Sequence, residues 1–111
     1  MAATAPRTPK STDPEIVWSV WLACRMGGIA EYTLPDRSRV DILTPLLAIE
    51  VDWVKKHFEA FGQAIFYGEA TSRQAAVLLL LRGKPSEQRY LTRARIISQQ
   101  TNIPVFTWMT V

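Results

Sequence analysis

Two carboxylates stand nine residues apart, Asp41 in the run RVDIL and Glu50 in the run LLAIEVDW, with a Thr44-Pro45 turn between them. In the first run Val40 and Ile42 point one way and Asp41 the other; in the second, Ile49 and Val51 share a face opposite Glu50 and Asp52. If the runs pair around the short turn, Asp41 and Glu50 project from one face of neighbouring strands. Carboxylates held that close repel unless a cation lies between them, so a divalent ion with oxygen ligands, Mg²⁺ or Mn²⁺, is the natural occupant. The carbonyl of Val51 offers one more oxygen. A metal so held lowers the pKa of a bound water and neutralises charge that builds on a phosphate.

An ammonium beside such a pair would add transition-state stabilisation. The segment after the second run offers one. From Val54 to about Ala70 the pattern is helical, with Val54, Phe58, Phe61 and Ile65 as an apolar stripe. On a helix of 3.6 residues per turn, Lys56, Gln63 and Tyr67 return to within about 20° of a common direction, nearly opposite that stripe. Lys56 is the preferred cation; Lys55, rotated by roughly 100°, is the second choice. His57 points off the polar stripe and reads as a surface histidine, whereas Phe58 and Phe61 read as core.

The elements that must position these groups follow from the punctuation of the chain. Residues 1 to 12, MAATAPRTPKST, are small, polar and proline-bearing, and read as a disordered arm. Asp13-Pro14 reads as an N-cap and first helical position, opening a helix through EIVWSVWLACRM that stops at Gly27-Gly28, with Val17, Val20, Trp21 and Cys24 inward. Three short strands follow, AEYTLP, RVDIL and LLAIEVDW, joined by turns too short for crossovers, hence an antiparallel meander. After the 54–70 helix, RQAAVLLLLRG reads as a strand buried on both faces, and so as a central, partly parallel one. Pro85-Ser86-Glu87 opens another helix to about Gln100, with Leu91, Ile96 and Ile97 inward, and IPVFTWMTV is a last strand. The fold class is α/β, in the order α-β-β-β-α-β-α-β: a mixed sheet flanked by helices, one domain over residues 13–111.

At this point the residues resemble the PD-(D/E)XK nuclease superfamily. An acid, a short turn, a glutamate and then a helix carrying QxxxY are similar to its motif, and the α-β-β-β-α-β core is similar to its restriction-endonuclease-like fold, over roughly residues 14 to 83. The resemblance implies that Asp41 and Glu50 bind metal, that Gln63 and Tyr67 are the QxxxY pair, and that Glu31 is an additional acidic ligand. Where the motif has lysine two residues after the glutamate, this chain has Asp52. The resemblance then implies a lysine relocated to the helix, Lys56 or Lys55, with Asp52 as a ligand or supporting acid. The alternative is a catalytically inactive nuclease-fold module that binds DNA or a partner.

Composition bounds the rest. The 111 residues are 48% apolar and 21% charged, and the net charge is +3, figures of an ordinary globular protein that tolerates a nucleic-acid partner without requiring one. Cations gather at Arg82, Lys84, Arg89, Arg93 and Arg95, with Arg73 upstream and only Glu87 opposing them; Arg89, Arg93 and Arg95 are candidate phosphate contacts to DNA. A lone cysteine, Cys24, excludes an internal disulfide and a cysteine-based zinc site. The longest apolar run, Ala75 to Leu81, is far short of the roughly 20 residues that cross a bilayer, and no secretory core opens the chain, so no membrane partner and an intracellular, cytoplasmic place are expected. One chain of this size covers little duplex, so a homodimer or a subunit of a larger assembly is expected.

Overall fold

The computed structural model describes residues 7–111, and its elements run α1 (Glu15–Met26), β1 (Ile29–Thr33), β2 (Arg39–Leu43), β3 (Leu47–Trp53), α2 (His57–Thr71), β4 (Gln74–Leu81), α3 (Gln88–Thr101) and β5 (Val105–Met109). Short 3-10 turns, Val54–Lys56 and Pro85–Glu87, lead into α2 and α3. The strands form one mixed sheet in the order β1-β2-β3-β4-β5. β1, β2 and β3 are the antiparallel meander read from the turn lengths, and β3, β4 and β5 are parallel. No helix among the described residues is long and apolar enough to cross a membrane.

β4 is the axis of the core. Every residue from Ala75 to Leu81 is buried, because the strand has a neighbour on each side and helices over both faces. Ala76, Leu78 and Leu80 meet Trp18, Trp21 and Leu22 of α1, while Ala75, Val77, Leu79 and Leu81 meet Phe61 and Ala64 of α2 and Ala94 of α3. Alternation within one apolar run therefore feeds two separate cores.

Helix phases differ in part from the periodicity reading. In α1 the buried residues are Trp18, Ser19, Trp21, Leu22 and Ala23, whereas Val20 and Cys24 are exposed; the two indoles, edge-on at 5.8 Å, bring more apolar area than the smaller residues a step away. Asp13 does not cap this helix. Its carboxylate closes the preceding turn, accepting from Lys10 N at 2.8 Å and Arg7 at 3.3 Å, and Pro14 takes the cap position. In α2, Phe58 and Ile65 are 62% and 53% exposed, and the buried face is His57, Ala60, Phe61, Ala64 and Gly68. Small residues are required there: a Cβ on Gly68 would lie 2.9 Å from Ala75 Cβ. In α3, Ala94 is fully buried, Leu91 and Ile97 pack beside it, and Ile96 is exposed.

The expected arm of residues 1–12 lies outside the described residues up to position 6. Over 7–12 the chain differs from a free arm: Pro9 is buried, Lys10 O accepts from Trp18 Nε1 at 3.1 Å, and Ser11 O accepts from Arg82 Nε at 3.3 Å.

Candidate metal and phosphodiester site

Asp41 and Glu50 are brought together by the meander. The ladder pairs Ile42 with Ile49 and Leu43 with Ala48, and the next step of that register sets Asp41 against Glu50. Here the ladder gives way to a side chain: Val51 N donates to Asp41 Oδ2 at 2.8 Å. Asp41 thus substitutes for a backbone carbonyl and is clamped to the strand that carries Glu50. On the other side, the pairs Ala30–Ile42 and Tyr32–Val40 bring Glu31 level with Asp41. Glu31 has φ 55°, a left-handed conformation that costs a non-glycine residue about 1–2 kcal/mol, so the edge strand is strained beside the acids.

These groups wall a cavity of ≈ 400 Å³ with Glu15 and Ile16 of α1, the turn residues Arg37, Ser38 and Arg39, and Tyr67 of α2. Glu31, Asp41, Glu50 and Tyr67, singled out from sequence, are therefore brought to one site. Glu15 was missed, since nothing in its neighbours shows that α1 docks its first turn there. Arg37 and Arg39 were missed as well; their place follows from the tight Asp36–Ser38 turn, in which Ser38 N and Oγ both donate to Asp36 Oδ1.

The electrostatics are those of too many carboxylates in too little water. Burial, and next the Asp41 charge, push Glu50 up to about 10, and the group is 7% exposed with Oε2 lacking a hydrogen-bond partner. Asp41 is also raised, chiefly by burial, although the Val51 N–H opposes the shift. The pair therefore keeps a proton at neutral pH, because a second charge has no partner. Asp52, also buried, is pushed up to about 6; its Oδ1 accepts from Trp53 N at 2.9 Å, and the Lys56 charge pulls its pKa back down. Tyr67 is raised by burial first, then by Glu50 and Asp41.

The remaining candidates distribute unevenly. Lys56 lies in the 3-10 turn before α2, with φ −98° and ψ 26°, so it does not continue the α-helical stripe of Gln63 and Tyr67. It is exposed near Asp52 and is not among the cavity walls. Gln63 is exposed and also off the walls. Lys55 and Arg89 line a different cavity; Arg93 lies 5.9 Å from the Tyr90 ring, and Arg95 is exposed on α3. His57 is not the surface histidine expected. It is 1% exposed, with Nδ1 3.0 Å from Val54 O and Nε2 unpartnered, and burial lowers its pKa.

Among the described residues no three His, Cys, Asp or Glu side chains assemble as a ready-made metal cage. Glu31, the expected third ligand, is 4.0 Å from the Arg39 guanidinium instead. The donor set nevertheless suits a hard cation: all oxygen, two carboxylates, and one oxygen of Glu50 without a donor. Mg²⁺ is often held by one or two carboxylates, with waters completing its octahedron. A mostly apolar cleft of ≈ 420 Å³ on the α1 side, lined by Leu22, Met26, Phe106 and Trp108 with Arg25 and Thr107, holds no carboxylate and offers no such chemistry. Compared with known proteins, the chain matches no protein family, no curated protein sequence and no solved structure.

Proposed function

We propose that the protein is a small metal-dependent deoxyribonuclease of the PD-(D/E)XK type, with a restriction-endonuclease-like core, hydrolysing phosphodiester bonds at the Asp41–Glu50 cavity. One observation carries the reading: Asp41, half-buried, and Glu50, buried, share a cavity wall and resist ionising together, and Glu50 is pushed up to about 10 with an orphaned oxygen. A bound divalent cation would remove that conflict, with Asp41 and Glu50 holding it as carboxylates. When bound, Mg²⁺ or Mn²⁺ supplies a water of lowered pKa and offsets charge on the phosphate.

The side chains divide the other tasks. Asp41, held by Val51 N, and Glu50 give the cation its anionic oxygens, while Glu15 and Glu31 deepen the negative potential that draws it in. Arg37 and Arg39, on the same wall, meet the oxygens of the entering phosphodiester, which offsets the repulsion between substrate and acids. Tyr67 is protonated throughout the neutral range, since its pKa is raised further, and donates its hydroxyl to a phosphate oxygen or to the attacking water. Lys56 adds positive charge to the transition state from the 3-10 turn, and Gln63 contacts the substrate backbone from the exposed side of α2. DNA is the substrate and partner, with Arg89, Arg93 and Arg95 on its backbone. Two strands require two cuts, so the chain works as a homodimer or inside a larger assembly.

A second reading has its own observation. Lys56 lies outside the helical stripe and off the cavity wall, and Asp52 holds the usual lysine slot; both favour a nuclease-fold module that binds DNA without cutting it. Cleavage of plasmid or oligonucleotide DNA with Mg²⁺ or Mn²⁺, compared between wild type and the Asp41 and Glu50 variants, separates the two.

A further inference from the structure

Beyond the carboxyl ends of β3 and β4 a second cavity, of ≈ 310 Å³, opens between the turn into α2 and the turn into α3. Its walls carry the cations Lys55, Arg82, Lys84 and Arg89 and a single acid, Glu87. That acid is already committed: its carboxylate accepts from Arg82 N at 3.0 Å on each oxygen and from Lys84 N at 2.9 Å. Among the described residues none of the four cations forms an ion pair with a carboxylate. Two of them are positioned by aromatic rings instead. The Arg82 guanidinium stacks 3.5 Å from the centroid of Trp53, and the Arg89 guanidinium lies 4.8 Å from that of Tyr90 while donating to its hydroxyl at 2.9 Å. Stacking orders a guanidinium without neutralising it. Converging like charges around one cavity repel unless an anion sits among them.

We infer that this cavity binds a phosphate of a nucleic-acid strand, as a site distinct from the carboxylate cavity. The choice of nucleic acid rests on the nuclease reading above; the choice of phosphate rests on the cations alone. Guanidinium forks match phosphate oxygens in geometry, and ammonium groups add charge. β3 links the two sites: Glu50 and Trp53 are three residues apart on it, about 10 Å at ~3.3 Å per residue, with their side chains on opposite faces of the sheet. A nucleic-acid strand passing round the carboxyl ends of β3 and β4 reaches both sites within a few nucleotides. The cavity would therefore grip the strand beside the bond being cut and set its register without reading sequence. Its ligand is either an internal phosphodiester or a terminal phosphate.

The test is binding of fluorescent single-stranded oligonucleotides to the full chain in EDTA, where no cutting occurs. Wild type is compared with Lys84→Gln/Arg89→Gln, with Lys55→Gln as a separate probe, and with Arg25→Gln on α1 as a single-charge control matched to Lys55→Gln. The double variant changes two exposed side chains, and its melting curve verifies the fold. The expected result is a loss of at least tenfold in affinity, with the salt slope falling by roughly 1.4 for two lost single-strand contacts. Lys55→Gln shows a smaller loss, and Arg25→Gln binds as wild type. Equal affinity of the double variant and wild type overturns the site, as does an equal loss in Arg25→Gln. Tenfold tighter binding of the 5′-phosphorylated oligonucleotide over its 5′-hydroxyl form assigns a terminal phosphate; equal binding assigns an internal one. A metal-dependent cleavage assay run alongside keeps the two claims apart. Cleavage with unaltered binding in the double variant removes this site alone, whereas lost binding without any wild-type cleavage removes the nuclease reading alone.

Discussion

Asp41 is fastened to the backbone of Val51, one residue beyond Glu50, by a 2.8 Å hydrogen bond from Val51 N to Asp41 Oδ2. A carboxylate that replaces a ladder carbonyl cannot swing away from its neighbour to relieve repulsion. The pair therefore holds its proximity through protonation, and burial and charge push Glu50 up to about 10. A site arranged this way favours a cation over two free charges.

Glu50→Gln removes the titrating group and keeps its shape. The folded pKa of Glu50, about 10, lies above its ordinary 4.5, so its contribution to stability is complete below pH 4.5 and is lost as pH rises toward 10. The substitution should therefore stabilise the protein at pH 7.5 by on the order of 1–3 kcal/mol, seen as a higher Tm, and the gain should vanish near pH 4.5. Millimolar Mg²⁺ should raise the Tm of wild type at pH 7.5 and leave that of Glu50→Gln nearly unchanged. Thermal melts across pH, with and without Mg²⁺, measure both effects.

The two adjacent lysines should separate cleanly. Lys56 influences Asp52, whereas Lys55 lines the cationic cavity. Lys56→Ala should lower kcat by about 10²-fold or more, while Lys55→Ala keeps kcat and weakens DNA binding. Single-turnover kinetics beside binding titrations check this, and the reverse pattern would assign the catalytic cation to Lys55.

Tyr67 and Gln63 share a helix but not an environment. Tyr67→Phe deletes a hydroxyl at the cavity wall and should reduce kcat roughly tenfold or more. Gln63→Ala, on the exposed face, should act on KM. Steady-state kinetics on one oligonucleotide distinguishes the two, and an equal kcat loss in both would restore them to a single functional unit.

His57 sets a limit on acid stability. Its folded pKa is lowered from 6.5 by burial, so the stability it contributes is present above pH 6.5 and is lost as pH falls through its folded pKa. Replacing it by Phe should flatten the decline in Tm below pH 6.5, measured against wild type in the same buffers. An unchanged slope would mean that His57 does not titrate on unfolding.

The order of elements, the meander and the central place of β4 were legible because turn chemistry and the two strand periods are local signals. The convergence of Asp41 and Glu50 was legible for the same reason, since a short turn sets the register. The phase of α2 was not. Its periodicity was extended back to Val54, but a 3-10 turn occupies Val54–Lys56, and its tighter winding takes Lys56 out of the stripe of Tyr67. Phe58 and Ile65 were misread as core because close packing on β4 selects Ala60, Ala64 and Gly68 over larger residues. Glu15 was invisible because its approach to Asp41 depends on how α1 docks, which no local pattern encodes.

The most direct measurement is cleavage of a defined oligonucleotide by wild type, Asp41→Asn and Glu50→Gln, with Mg²⁺, with Mn²⁺ and with EDTA, after melting curves verify that each variant is folded. Wild type should cut with either metal and not in EDTA, and each variant should lose at least 10²-fold. Cleavage that survives both substitutions, or a folded wild type that cuts no DNA with either metal, would overturn the nuclease assignment at Asp41 and Glu50.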